Sequence, residues 1–170
     1  LPDNTAHITL ETEGPPLPLP GLHIAEIVAD EALARGYRTI GVLGTKFTMD
    51  GPVYRGALGR RGLGFRIPPP EDRAFINETI FDELCNGRFT DETRGRYVRI
   101  IEDLKREGCD AVALVCTEIP ILIPPEASPL PTLDSTRLLA RAAIDVALGE
   151  RPMPDWRGGP AQMAGYGAIS

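Results

Sequence analysis

Two apolar periods run through this chain and take turns. Arg38-Thr39-Ile40-Gly41-Val42-Leu43 and Ala111-Val112-Ala113-Leu114-Val115 are short, nearly unbroken apolar runs. That is the pattern of strands buried on both faces of a parallel sheet. Between and around them, apolar residues fall three and four apart. Ala25 to Arg35 reads as a helix stopped by Gly36, and Val53 to Leu58 as another. Gly64-Phe65-Arg66-Ile67 predicts a strand. Pro68-Pro69-Pro70 then breaks the chain ahead of a helix with Ile76, Ile80 and Leu84 on one stripe, ended by Gly87. Thr90 or Asp91 caps the next helix, whose Tyr97, Ile100, Ile101 and Leu104 share a face. Pro131-Thr132-Leu133 predicts a strand, and about Ser135 to Leu148 a last helix. Leu22-His23-Ile24 is a further short strand candidate.

Alternation of this kind places helices on both faces of a mainly parallel sheet, an α/β fold. The opening residues do not complete it. Leu1-Pro2-Asp3-Asn4-Thr5 reads as the exit of a strand, with too little chain before it to form one and no initiator Met. The expectation is that the N-terminal part of a larger protein precedes this sequence and that the first domain is incomplete here. At 170 residues, the chain could form one domain or two small ones.

Composition narrows the classes of function. A net charge of −6, with no basic run, argues against a nucleic-acid surface. No apolar stretch approaches membrane-spanning length and no signal peptide is visible. Cys85, Cys109 and Cys116 are odd in number and lack metal-ligand spacing, so they read as reduced thiols of a cytoplasmic protein. With only His7 and His23, a histidine metal site or a Ser-His-Asp triad is hard to build. Gly41-Val42-Leu43-Gly44-Thr45 lacks the elements of a phosphate loop or a dinucleotide fingerprint.

Candidate chemistry gathers at strand exits. Cys116-Thr117-Glu118 follows the second apolar run, and ligands of open α/β sheets collect at that carboxyl end. Asp3-Asn4-Thr5 repeats the arrangement with a carboxylate in place of the thiol. A plainer reading stands beside each. Free Cys is most often a small buried hydrophobe, and Asp3 could simply cap the segment after it. Thr45 and Thr48 could cap a helix, His7 could be structural, and Arg94 could be a solvated surface charge. Cys85 and Cys109 read as structural. The Pro15-to-Pro20 run reads as a connecting loop before a polyproline ligand, and the tail from Gly158 as loosely ordered.

These motifs are ordered and spaced as in the aspartate/glutamate racemases, which the chain resembles. The matching stretches are Asp3-Asn4-Thr5-Ala6-His7, Gly41 to Thr45 with Thr48-Met49 and Tyr54, Asn77 to Gly87, Thr93-Arg94, Cys116 to Pro120, and Asp134-Ser135-Thr136. The resemblance implies two similar doubly wound α/β domains with the substrate between them. Residues 37–127 would form the second domain, and residues 1–36 and 128–170 the remainder of the first. It implies cofactor-independent racemisation, in which two groups flank the α-carbon, one as base and one as acid. Cys116 would be one of them. Asp3 would be the other, standing where most of the family carries a second cysteine. Asn4, Thr5, Thr45, Thr48, Thr117 and Glu118 would line the substrate, with Thr117 and the amides after it receiving a carboxylate. Arg94 would pair with a side-chain carboxylate. Leu139 stands where the family commonly has a histidine. No cofactor is implied, a small amino acid or dicarboxylate is the partner, and the family suggests a homodimer. Two other readings stay open: a single-cysteine relative, such as an arylmalonate-type decarboxylase or a maleate-type isomerase, and a non-catalytic carboxylate-binding protein.

Overall fold

A computed structural model describes residue 7, residues 9–11 and residues 16–159. Four strands form one parallel sheet: β1 (Thr39–Leu43), β2 (Gly64–Arg66), β3 (Ala111–Leu114) and β4 (Thr132–Asp134), in the order β2-β1-β3-β4. The helices are α1 (Ile24–Ala34), α2 (Lys46–Asp50), α3 (Pro52–Arg60), α4 (Pro70–Asp82), α5 (Asp91–Arg106), α6 (Ile119–Leu122) and α7 (Ser135–Ala147). Single 3-10 turns lie at Leu84–Asn86 and Pro125–Ala127.

Strand side chains alternate between two cores, as a pleated sheet buried on both faces requires. Ile40, Val42, Ala111, Ala113, Val115 and Leu133 pack with α1 and α3. Leu43, Val112 and Leu114 pack with α4, α5 and α6 on the other face. Cys116 continues the second series, partly buried against that core. On this face Gly41 sits close to α5: a Cβ there would lie 2.9 Å from Leu104 Cδ1, so that side chain would have to shift to admit one.

Local chemistry sets the ends of the elements. The carboxylate of Asp110 accepts the amides of Arg38 (2.8 Å) and Thr39 (3.0 Å), clamping the start of β1 to the start of β3. Thr90 Oγ1 accepts the Thr93 amide at 3.1 Å and caps α5, as expected. Asp134 caps α7 by accepting the amides of Thr136 and Arg137. Gly36 and Gly87, at φ 78° and 72°, close α1 and the turn after α4.

One expectation changes. Leu22-His23-Ile24 is not a strand: His23 is the N-cap of α1, its Nδ1 accepting the Glu26 amide at 3.2 Å. Imidazole can accept a backbone amide as an Asx side chain does, a role that a β-branched neighbour hides in the sequence. The Pro-rich run from Pro16 is a loop pinned to the C-terminal segment: Leu17 N donates to Arg157 O (2.7 Å) and Gly21 N to Trp156 O (2.9 Å). Gly159 N donates to Leu10 O at 2.8 Å, and the tail beyond residue 159 lies outside the described residues. Finally, β4 comes from outside residues 37–127 yet pairs with β3.

α7 is amphipathic with its apolar side only partly covered. Ser135 and Ala142 are buried, whereas Ala140, Ala143, Ile144, Ala147 and Leu148 form an exposed stripe.

Candidate functional site

Parallel pairing brings the exits of β1 and β3 side by side. Leu43 is the partner of Leu114, and Val115 N donates to Leu43 O at 2.8 Å. Gly44 permits this approach, since a Cβ there would lie 2.7 Å from Val115 Cγ2 and 3.2 Å from Val115 O. Two motifs far apart in sequence, Thr45 to Thr48 and Cys116 to Glu118, therefore sit at one end of the sheet.

The thiol of Cys116 donates to Glu118 Oε2 at 3.0 Å. Burial pushes this thiol up to about 12, helped by its hydrogen bond to the Glu118 carboxylate and by that group's charge. Burial would also raise Glu118, but hydrogen bonds from Cys116, Thr117 and its own amide outweigh that and hold its carboxyl below the usual range. The pair is thus a protonated thiol held against an ionised carboxylate. Such a thiol is a proton donor with an acceptor already in place.

A polar layer lies behind it, buried at Thr79, Thr93 and Tyr97. Tyr97 is buried on α5, its hydroxyl 3.0 Å from Thr79 Oγ1 and donating to Ile76 O at 3.3 Å. Burial, with smaller contributions from Cys116 and Glu83, raises the Tyr97 phenol. Thr90 donates to Thr93 at 2.9 Å, and Thr93 to Glu83 Oε2 at 2.6 Å. Sequence reading missed this layer. Its signal was a Thr and a Tyr on helix faces otherwise apolar, which is easily taken for simple packing. Cys85 is exposed in the Leu84–Asn86 turn and not on the buried stripe, and it acts electrostatically on Cys116.

The other candidate residues fall as follows. Thr45 occupies the N-cap position of α2, with its hydroxyl 3.0 Å from that of buried Thr48 and no cap bond of its own. Thr117 is exposed beside Glu118. Arg94 is already engaged: Nε donates to Leu122 O at 3.0 Å and the guanidinium pairs with Asp91. Asp3, Asn4 and Thr5 lie outside the described residues. His7, four positions on, is buried; its Nε2 accepts the Ile24 amide at 3.4 Å, and its ring stacks on Trp156. That is a structural role, with His23 beside it donating to Glu11 at 2.7 Å. Among the described residues, no group of three or more His, Cys, Asp or Glu side chains could hold a metal ion, and no helix is long and apolar enough to cross a membrane. A groove of about 680 Å³ runs along β4, lined by Ile123, Leu133, Arg137 and Arg141 among others, and takes in none of the described candidates.

The fold is that of an α/β protein with a parallel sheet and a partly buried thiol, hydrogen-bonded to a carboxylate, at the sheet's carboxyl end. The chain belongs to the Asp/Glu/Hydantoin racemase family, whose model matches residues 2–143. It is 24% identical over 148 residues to the broad specificity amino-acid racemase RacX of Bacillus subtilis (strain 168), covering 87% of this chain and 63% of that protein. A candidate Asp/Glu racemase from Yersinia pestis superposes with a TM-score of 0.71 at 37% identity, over 75% of this chain and 56% of that one. An aspartate racemase homologue from Pyrococcus horikoshii OT3 gives a TM-score of 0.69 at 34% identity, with the same coverage. The chain therefore spans between about half and two thirds of the length of these relatives.

Proposed function

We propose that the protein to which this chain belongs is an amino-acid racemase that works without a cofactor, with Cys116 and Asp3 as the opposed acid and base. The observation that carries this reading is the Cys116–Glu118 pair at the β3 exit, in a chain of this family. In one direction the Asp3 carboxylate takes the α-proton and becomes a carboxylic acid. The electron pair is held as an enolate on the substrate carboxylate, bordered by the hydroxyls of Thr45, Thr48 and Thr117. Cys116 then delivers its thiol proton to the opposite face, leaving a thiolate beside Glu118. Solvent reverses the two protonation states for the next turnover. The reverse direction begins with the Cys116 thiolate, which is scarce for a thiol raised this far. The two enantiomers should therefore turn over unequally from rest.

The exposed Ala140–Leu148 stripe supports placing α7 against a first α/β domain, with residues 37–127 making most of the second. A dimer and a cytoplasmic site of action accompany this reading. Chiral chromatography of L-alanine, L-methionine or L-aspartate incubated with the protein and with Cys116→Ser tests it. Appearance of the D-enantiomer only with an intact Cys116 is the expected result. Release of CO2 from a malonate, or a shifted double bond, with no inversion would point instead to the single-cysteine relatives.

A further inference from the structure

The two histidines of the chain meet at the start of α1, and the chemistry proposed above uses neither. The first turn of a helix leaves its amides without acceptors inside the helix. Here imidazoles take two of them. His7 Nε2 accepts the Ile24 amide at 3.4 Å, and His23 Nδ1 the Glu26 amide at 3.2 Å. Both residues are buried, His7 at 7% and His23 at 4% exposure. Their ring centroids lie 4.7 Å apart. Trp156 closes the cluster, stacked on His7 at 5.4 Å and edge-on to His23 at 4.8 Å. Stretches distant in sequence are tied to α1 at this point. His7 and Glu11 belong to the N-terminal segment, where Leu10 O accepts the Gly159 amide. Trp156 O accepts the Gly21 amide, and Arg157 binds Leu17 N and Pro18 O.

A ring nitrogen that accepts an amide carries no proton, so His7 is bare at Nε2 and His23 at Nδ1. His23 then keeps its proton on Nε2, which donates to Glu11 Oε1 at 2.7 Å. An added proton turns an acceptor into a donor facing an N–H group, and it sets a positive charge at the positive end of the α1 dipole. Whichever ring takes it, one amide of α1 loses its acceptor. The charged groups around the cluster, among the described residues, are Glu11, Glu26, Asp155 and Arg157. Glu11 favours a charge on His23 but does not restore the lost amide bond. Glu26 is engaged by Arg60 and Arg61 of α3. Asp155 and Arg157, opposite in sign and exposed, flank Trp156 in the chain. The Trp156 face attracts a charged His7, which keeps the stack but not the cap. Two charged rings this close repel each other. We propose that His7 and His23 form an acid-released clamp: it holds the N-terminal segment on α1 while both rings are neutral and lets it go when either is protonated. Asp3 stands four positions before His7, so the clamp also anchors the chain that carries the candidate base. That consequence, unlike the clamp itself, rests on the racemase reading.

Amide hydrogen exchange with peptide mass spectrometry tests it. The intact protein is compared at about pH 7.5 and about pH 5, the span over which imidazole changes charge, with rates corrected for their intrinsic pH dependence. Peptides covering residues 7–11, 16–21 and 24–27 should lose protection by about tenfold or more at the lower pH, with β1 and β3 unchanged. In the double variant His7→Gln, His23→Asn, amide oxygens stand in for the accepting nitrogens and take no proton in this range. Its protection should therefore be similar at both pH values. Equal protection of the wild type at the two pH values would overturn the proposal by itself, whether or not the variant folds. Loss that extends equally through β1 and β3, or that persists undiminished in the double variant, would also overturn it. Acid would then be acting on the whole fold or on another group such as Glu11. Exchange of the substrate α-proton is read in parallel. A fall at the lower pH that is smaller in the double variant supports the link to Asp3, and an equal fall in both proteins would sink that link alone.

Discussion

Replacing Glu118 by Gln should free the Cys116 thiol. In the wild type the thiol, raised to about 12, is ionised in only about one molecule in ten thousand at pH 8. The substitution removes the charge that a thiolate would face, while burial, the larger cause, stays. Two anions here would relax from the observed 3.0 Å to roughly 5 Å. At an effective dielectric of about 20 to 40 for a partly exposed site, their repulsion is about 1.7–3.3 kcal/mol, or one to two units of pKa. The thiolate fraction, and with it the rate of alkylation, should rise about 10- to 100-fold. Iodoacetamide labelling at pH 8, followed by peptide mass spectrometry, reads Cys116 separately from exposed Cys85 and buried Cys109. Unchanged or slower labelling of Cys116 in Glu118→Gln would refute the argument that this carboxylate keeps the thiol protonated.

Three further outcomes follow from the same structure. Gly44→Ala should cost about 1–3 kcal/mol in chemical denaturation, because its Cβ would collide with Val115 where β1 and β3 leave the sheet; a loss under about 0.5 kcal/mol would contradict that. Thr90→Ala should cost about 1 kcal/mol through loss of the α5 cap, with Thr90→Ser restoring most of it. Thermal stability should fall as pH rises from about 9 toward 12. Cys109 (raised to about 11), Cys116, Tyr54 and Tyr97 all hold their protons more tightly folded than unfolded, chiefly through burial. Their contributions are complete below the unfolded values, roughly 8.5 for Cys and 10 for Tyr, and are lost as pH climbs through the folded ones. A Tm constant from pH 8 to 11 would contradict this.

The parts of this molecule that follow from local pattern were legible in the chain. The β1 and β3 runs, the Gly36 and Gly87 stops, and the Tyr97-Ile100-Ile101-Leu104 face each rest on periodicity or on a conformational preference that a few residues carry alone. The position of Cys116 at a strand exit was legible for the same reason. What was hidden depends on long-range pairing. His23 as a helix cap, with its ring held by Glu11 and edge-on to Trp156, joins three segments distant in sequence. The pinning of the Pro-rich loop by residues 156–157 does the same. The engagement of Arg94 by Leu122 O arises only once α6 folds back on α5. The placement of β4 beside β3 is likewise a matter of sheet order, which three residues cannot declare.

Deuterium wash-in tests the central claim most directly. The protein is held in D2O with L- or D-amino acid, beside Cys116→Ala and Asp3→Asn, and the α-proton signal is followed by NMR. The account predicts loss of that signal, abolished by Cys116→Ala, with unequal initial rates for the two enantiomers and a large drop in Asp3→Asn. Exchange that persists undiminished without the Cys116 thiol would contradict it.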